Sequence, residues 1–492
     1  MSEDLTQGDT SKYVEEITDQ EDDFSRWYTD VVRKAELADY SPVRGCMVIR
    51  PYGYALWELI QAHLDRRIKA AGCVNAYFPL FIPKSFLEKE AEHVEGFAPQ
   101  VAWVTIGGGE ELQEPLAVRP TSEAIIGHMY AKWVQSYRDL PILINQWANV
   151  VRWEKVTRLF LRTMEFLWQE GHTAHASWQE AQDRTLTMLD VYRAFAEEDL
   201  AIPVIAGRKS ESEKFAGAEA TYSIEAMMGD GKALQAGTSH NLADHFAKGF
   251  EIQFLDRDNE RKYAFTTSWG LSTRIVGATI MVHGDSGGLI LPPKVAPYQA
   301  VFVPIWRKEA ERAQVEEVVR RLDAALTAAG ARSFVDWRDD KTAGWKFNEW
   351  ELRGVPLRIE VGPRDVRDGK ALVVRRDTRV KESVAQDGLA ARVQTLLDEI
   401  QHAMYERALK FRAENTRWVA DYAAFQREIE QRGFLRAWWC GGAACEDQIK
   451  TDTKATIRNI PLDQTLAGEA PAPHCVLCGK AATHWVVFAR SY

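Results

Sequence analysis

The chain has 492 residues, 46% of them hydrophobic and 27% charged, with a net charge of −10. That length holds several domains and a large core, and the acidic balance excludes a uniformly basic surface, so any polyanion site must be a local patch. No apolar run is long enough to cross a bilayer, and the start, "MSEDLTQGDTSKYVEEITDQEDD", is unlike a signal or transit peptide; a cytoplasmic protein with no membrane contact is the expectation.

Residues 1–23 carry nine acids against Lys12 and read as a mobile or loosely docked acidic tail. From Tyr54 to Ala71, Leu56, Leu59, Ile60, Leu64 and Ile68 form one helical stripe that Gly72 ends. "VNAYFPLFIP" reads as a buried strand cut by Pro79 and Pro83, and Ile142–Glu154 as another strand. "FLRTMEFLWQEGHTAH" (160–175) alternates like a strand. "SWQE" at Ser177–Glu180 is a capping box that opens a helix to about Asp199. Further strands are expected at 219–225, 232–238, 251–255 and 275–283. Strands flanked by helices predict an α+β domain on an antiparallel sheet over 24–293. After "GLILPPKVAPYQ" strands alternate with helices: "QAVFVPIW", Lys308–Ala329, "RSFVD", "GWKFNEWELRG", "PLRIEV", "ALVVR", then helix from Val384. This is a compact α/β domain over 294–400. A third unit, 401–492, carries four of the six cysteines; Cys46 and Cys73 read as small buried hydrophobes.

The stretch 160–175 is unusual for a core strand. Phe160, Arg162, Met164, Phe166, Trp168, Glu170 and His172 share one face by alternation. On the strand before it, Arg152 and Glu154 also share a face. Read as a hairpin, the two strands present guanidiniums suited to phosphate, flat rings suited to stacking on a purine, and carboxylates suited to an amine. A nucleotide with its triphosphate folded on the sheet fits that set; a solvated, salt-bridged sheet face is the bland alternative for any one residue alone. "RPTSEAIIGHM" adds Thr121 and Glu123 at alternate positions, and "SWGLSTR" adds Arg274 at the mouth of an apolar run. Cys440-x4-Cys445 and Cys475-x2-Cys478 are two close pairs, well separated, the spacing of a structural zinc site.

Together these segments resemble the signature motifs of class II aminoacyl-tRNA synthetases, and among them the prolyl-tRNA synthetase family of archaeal and eukaryotic architecture. "GCVNAYFPLFIP" resembles motif 1, which builds a homodimer interface; "VRWE…RTMEFLWQEGHTAH" motif 2; and "WGLSTR" motif 3, with "RPTSE", "LQAGTSHNL" and "VHGD" alongside. The resemblance implies a proline–tRNA ligase acting on ATP with Mg²⁺, L-proline and tRNA(Pro). On it, Arg152 would hold the α-phosphate, Glu154 would face the adenine amine, Phe166 and Arg274 would sandwich the base, and Arg162 would reach the phosphates. Gln235 and Thr238 would line the nucleotide side. Thr121, Glu123, Trp168, Glu170, His172, His240 and Gly270, with Arg152, would shape the proline pocket. The chemistry needs no protein nucleophile, so neither histidine is assigned as a general base. The second domain would bind the anticodon; from Arg353 to Lys381 it holds nine Lys/Arg against four acids, and Lys346, Glu349 and Arg353 are the candidates to read guanines. The four cysteines would hold structural Zn²⁺, and Tyr492, as the last residue, would fold back toward the active site. Only 95 positions separate Gly171 from Thr266, too few for the large editing insertion of the bacterial form. Two rivals stay open: a synthetase for another small amino acid, and a non-catalytic RNA-binding paralogue.

Overall fold

The computed structural model describes residues 17–93, 100–464 and 470–492. The first sixteen residues of the acidic segment lie outside them. Its remainder is docked: Thr18 donates to Asp30 through both its amide and its hydroxyl (3.0 and 2.8 Å), and Asp23 caps the helix that follows.

The elements that position the site, in chain order, begin with helices α1 (Phe24–Lys34) and α2 (Pro51–Ala70), strand β1 (Val74–Asn75) and helix α3 (Glu123–Trp133). Strands β2 (Ile142–Val151) and β3 (Glu165–His175), helix α4 (Trp178–Ala194) and strands β4 (Val204–Arg208), β5 (Ala220–Met227), β6 (Ala233–Ala243) and β7 (Phe265–Ser272) follow, closed by helix α5 (Arg274–His283). The second unit comprises β8 (Ala300–Pro304), α6 (Glu309–Ala328), β9 (Ser333–Val335), α7 (Ala343–Leu352), β10 (Leu357–Val361), β11 (Lys370–Arg375), β12 (Lys381–Ala385) and α8 (Leu389–Glu414). The last comprises β13 (Thr416–Trp418), β14 (Phe434–Trp439), α9 (Ala443–Thr453), β15 (Thr456–Pro461) and β16 (His484–Ala489).

One sheet of eleven strands runs in the order β13-β14-β16-β15-β4-β5-β6-β7-β3-β2-β1. It is antiparallel except at its two ends, where β1 pairs with β2 and β13 with β14 in parallel. The C-terminal strands therefore extend the catalytic sheet, joined where Ile460 faces Arg208 and Pro461 faces Gly207. The main core lies between this sheet and its helices, with Trp27, Leu56, Ile60, Tyr192 and Trp269 fully or almost fully buried. The second unit has its own five-stranded sheet, β9-β8-β10-β11-β12, and its own core. Tyr52 of α2 donates to the Arg353 carbonyl (2.9 Å), and Arg376 grips Asp285 with two bonds (2.9 and 2.5 Å), locking the second unit to the first.

Several sequence expectations change. Residues 275–283 are helical, not a strand; the run is buried on every side, so no period distinguishes the two, and Gly277 lets it close onto Leu161 and Tyr28. "VNAYFPLFIP" is not a buried strand but two short ones, Val74–Asn75 and Phe81–Pro83, with Val74, Tyr77 and Phe81 exposed. The strand from Ile142 stops at Val151, and the next starts at Glu165, so Arg152, Glu154 and Arg162 sit on the connection rather than on strands. The helix after the Ser177 cap is α-helical to Ala194 and ends in one wider turn, Phe195–Asp199. Val384 lies in β12, and α8 runs unbroken through residues 400 and 401.

Candidate active site

The site is a cavity of about 310 Å³ over the middle of the large sheet. Alternation along β3 turns Phe166, Trp168, Glu170 and His172 into it. Neighbouring strands add to the same floor: β7 sets Gly270 opposite Glu170 and Ser268 opposite His172, and β6 sets Thr238 opposite Gly270. Thr121, Glu123, Arg152, Gln235, His240 and Arg274 complete the predicted lining. Arg162 and Glu154 line a smaller adjoining space with Phe166 and Arg274.

The two ends differ chemically. At one, the Arg152 guanidinium lies 5.5 Å from the Phe166 ring centre and 5.3 Å from that of Trp168, with Nε on the Pro120 carbonyl at 3.0 Å. Arg274 is anchored through Nε on the Leu161 carbonyl (3.0 Å), and Arg162 through Nε on Glu154 (2.8 Å). Each arginine thus spends one donor on fixing itself. The guanidinium fork retains further donors for phosphate oxygens.

At the other end Glu170 is buried and fully engaged. It accepts from the Ser122 hydroxyl (2.5 Å) and amide (3.1 Å) and from Gln146 (2.8 Å), and meets His172 Nε2 at 2.9 Å. Burial opposes charging His172, but the Glu170 bond and the charges of Glu123 and Glu170 outweigh it and raise its pKa above the usual imidazole value. Burial likewise opposes charging Glu170, and its partners, His172 first, hold it below the carboxylate range. Burial drops His240 to about 3, so it is neutral. Glu123 accepts from Thr121 and faces the cavity. It is therefore better placed than Glu170 to receive a ligand's ammonium. A Cβ on Gly270 would clear the protein by 3.4 Å or more, so that glycine serves the cavity rather than the packing. On Gly171, by contrast, a Cβ would overlap the Trp269 ring.

Sequence reasoning missed the outer wall: Glu213, Lys214 and Phe215 on the connection after β4, and Thr221 on β5. No local pattern marked them; Thr221 stands opposite His240 only through the pairing of β5 with β6. Tyr492 lies beside the start of β6, its amide on the Ala233 carbonyl (3.2 Å), its hydroxyl on Asp230 (2.7 Å) and its ring beneath Lys232.

Of the three anticodon candidates, Lys346 and Glu349 are buried on α7, and Arg353, half-buried, is its C-cap. Lys346 donates to the Asp336 carbonyl (3.0 Å), Glu349 pairs with Arg338 and Arg353, and Arg353 also pairs with Glu36. Lys346 and Glu349 are 3% and 4% exposed, and Glu349 and Arg353 also line a hollow of about 710 Å³ with Glu36, Tyr298, Phe334 and Arg338. A basic concavity lies elsewhere on the same domain, lined by Glu351, Arg358, Arg376, Arg379 and Lys381 beside Trp350.

Cys440, Cys445, Cys475 and Cys478 converge with their sulfurs all within 4.8 Å of one another. Four thiols at that spacing, from two chain segments, fit a tetrahedral zinc ion with no position left for substrate. Glu123, Glu170 and His172 also cluster, but Glu170 already carries four hydrogen bonds within the protein, which makes that group a binding network rather than a metal cage.

Comparison with known proteins agrees with this layout. Residues 103–283 match the tRNA synthetase class II core domain (G, H, P, S and T), 299–396 the anticodon binding domain, and 422–492 the C-terminal domain of prolyl-tRNA synthetase. The proline–tRNA ligases of Natranaerobius thermophilus and Symbiobacterium thermophilum are 57% and 58% identical, each match covering 98% of this chain and 99% of the relative. The crystal structure of prolyl-tRNA synthetase from Cryptosporidium parvum, complexed with halofuginone and AMPPNP, superposes with a TM-score of 0.92 at 42% identity, covering 96% of this chain and 99% of that one. With the class II core, the anticodon-binding domain and the prolyl-specific C-terminal domain all matched in order, the chain belongs to the prolyl-tRNA synthetase family of class II aminoacyl-tRNA synthetases.

Proposed function

We propose that the protein is a proline–tRNA ligase, which joins L-proline to ATP as prolyl-adenylate and then to the 3′ end of tRNA(Pro). The observation that carries this is the division of one cavity into an arginine and aromatic end and a carboxylate and imidazole end, met along β3. Phe166 stacks on adenine with Arg274 opposite, Gln235 and Thr238 lie along the nucleotide, and Arg152 and Arg162 hold its phosphates. Glu154, paired with Arg162 here, also faces the adenine amine. Glu123 and Thr121 receive proline's ammonium, Trp168 walls its ring, and Glu170 holds His172 in place. Gly270 and His240 leave room for the ring.

Proline's carboxylate oxygen attacks the α-phosphorus, and pyrophosphate leaves. The terminal ribose hydroxyl of tRNA then attacks the adenylate carbonyl, and AMP leaves. Both steps are accelerated by alignment and by the fixed positive charge of Arg152, Arg162 and Arg274. Mg²⁺ enters with ATP as part of the substrate and neutralises phosphate charge.

Zn²⁺ on Cys440, Cys445, Cys475 and Cys478 supplies a cross-link within the C-terminal unit. Cys475→Ser is expected to lose about one equivalent of metal and several kcal/mol of stability, read by metal analysis and thermal melting. We place the units at 24–293, 294–400 and 401–492, the last boundary falling inside α8. The exposed Val74, Tyr77 and Phe81, beside the open edge of β1, support a homodimer; a solution mass of one chain would reverse that reading. Among the described residues no helix is long and apolar enough to cross a membrane, and we place the enzyme in the cytoplasm with its tRNA.

ATP–pyrophosphate exchange across all twenty amino acids tests the function. Exchange is expected with proline. Exchange with none would favour a binding paralogue, and exchange with another residue alone would move the substrate. A pocket wall discriminates a smaller side chain by about 1–3 kcal/mol. The stretch from Gly171 to Thr266 is taken up by strands and helices packed on the large sheet, so weak exchange with alanine or cysteine is expected as well.

A further inference from the structure

The outer wall of the cavity is not held by the catalytic unit alone. The connection 209–218 leaves β4 and brings Glu213, Lys214 and Phe215 to the cavity. Three residues of the C-terminal unit grip it, Glu446 and Lys450 through side chains and Arg458 through its carbonyl. The Ser210 hydroxyl donates to Glu446 at 2.6 Å, and both residues are buried. Lys450 pairs with Glu213 at 3.1 Å. Lys209 Nζ sits between Glu225 (2.8 Å) and the Arg458 carbonyl (2.6 Å), while the Arg458 guanidinium takes the other oxygen of Glu225 with two bonds (3.0 and 2.9 Å).

From that anchor the connection reaches the site through its own bonds. The Phe215 amide donates to Thr221 Oγ1 (2.9 Å), which meets His240 Nδ1 at 3.0 Å, and the Phe215 ring lies 4.8 Å from the His240 ring. Glu225 is opposite Gln235, which lines the nucleotide side, but Glu225 itself does not reach the cavity. A buried ion group such as Lys209–Glu225–Arg458 is a poor source of net stability. Its geometry fixes the register between two chain segments distant in sequence.

We propose that the C-terminal unit is the positioning element for the amino-acid end of the cavity. Glu446 and Arg458 touch no substrate; they set where Phe215 and His240 stand. This rests on the reading of that end as the proline site, and it goes further by assigning the C-terminal unit a part in proline affinity. Glu446 directly follows Cys445 in the first turn of α9, so the cysteine cluster fixes the start of the helix that holds the wall.

The test uses the full chain with metal content checked, and Ser210→Ala, Glu446→Ala, their double variant and Glu446→Gln. KM for proline and for ATP are measured separately in pyrophosphate exchange, and proline binding by calorimetry. Ser210→Ala and Glu446→Ala are each expected to raise the proline KM and Kd about tenfold, the double variant no further, with the ATP KM within about twofold. Glu446→Gln keeps an acceptor for Ser210 and is expected to stay within about twofold of wild type for proline. An unchanged proline KM in both single variants overturns the proposal. So does a joint rise in the proline and ATP KM, which is the mark of general loosening. If Glu446→Ala does not fold, Ser210→Ala decides alone, since it deletes only the donor. A wild-type chain without proline-dependent exchange fails the functional reading instead, and is recognised before any variant is made.

Discussion

Strand β3 and helix α7 make an instructive pair, because each presents a row of charged and aromatic side chains on one face. On β3 the row Phe166, Trp168, Glu170, His172 opens into a cavity. On α7 and its C-cap the row Lys346, Glu349, Arg353 is tied by ion pairs to Asp336, Arg338 and Glu36, beside a hollow that Glu349 and Arg353 line. Periodicity says which residues share a face in both cases. It does not say what lies against that face. On β3 the row belongs to an interior strand of the sheet, third from one end, roofed by segments from 121–123 and 213–215 that leave space. On α7 the complementary charges come from β9's end and from the catalytic unit, far away in sequence. The Arg353–Glu36 pair ties the second unit to the first, whereas Arg152 and Arg274, each fixed through Nε alone, turn their remaining donors to the cavity over β3.

The largest effect should come from the open row's phosphate end. Arg152→Ala is expected to lower proline-dependent pyrophosphate exchange about 10²–10³-fold, since on the proposed function it removes a preorganised cation from the reacting phosphate. Arg353→Ala, the same change on the α7 row, is expected to leave exchange near the wild-type rate and to lower the melting temperature. If the two variants behaved alike, the distinction between the two rows would fail.

A smaller effect sharpens the picture within the open row. Glu170→Gln breaks a buried pair and is expected to cost about 3–5 kcal/mol of stability near neutral pH. The sign of its pH dependence follows from the two shifts. His172 has its folded pKa raised above 6.5, so its contribution is fully present below that value and is lost as pH rises through the raised one. Glu170 is held below 4.5, so its contribution is present above that value and is lost as acid protonates it. The wild-type melting temperature should therefore fall on the alkaline side of neutrality, and that slope should flatten in Glu170→Gln. Equal slopes in the two proteins would remove the His172–Glu170 pair from the account.

Much of the site was legible because its residues are local. Arg152 through His172 span one hairpin, and strand alternation aims Phe166 to His172 without any tertiary information. Arg162 reached the site by another route than alternation, on the loop before β3. Three things were not legible. The apolar run 275–283 has no period to separate helix from strand. The joining of β15 to β4 depends on pairing between segments about 250 positions apart. The outer wall Glu213–Phe215 is placed by bonds to Glu446, Lys450 and Arg458, none of which a local pattern links to it.

The finest discrimination is between the two faces of α7's own domain. The excess of Lys and Arg from 353 to 381 lines one hollow of this domain, and Glu349 and Arg353 line another. The basic concavity is lined by Arg358, Arg379 and Lys381, with Arg358 stacked 4.2 Å from the Phe347 ring centre and Arg379 paired with Glu351 at 2.9 Å. Arg and flat rings in one hollow suit unstacked bases, and the lysine suits a backbone phosphate. Lys381→Ala is therefore expected to weaken tRNA binding and to reduce the slope of log affinity against log salt by about 1. Arg358→Ala is expected to cost about 1–3 kcal/mol, with discrimination lost at one anticodon base. Lys346→Met should leave both affinity and salt slope unchanged while destabilising the domain, because Lys346 spends its charge on Asp336 inside the protein. Pyrophosphate exchange, which needs no tRNA, should be untouched by all three. A tRNA defect in Lys346→Met with wild-type stability would place the anticodon at the hollow that Glu349 and Arg353 line.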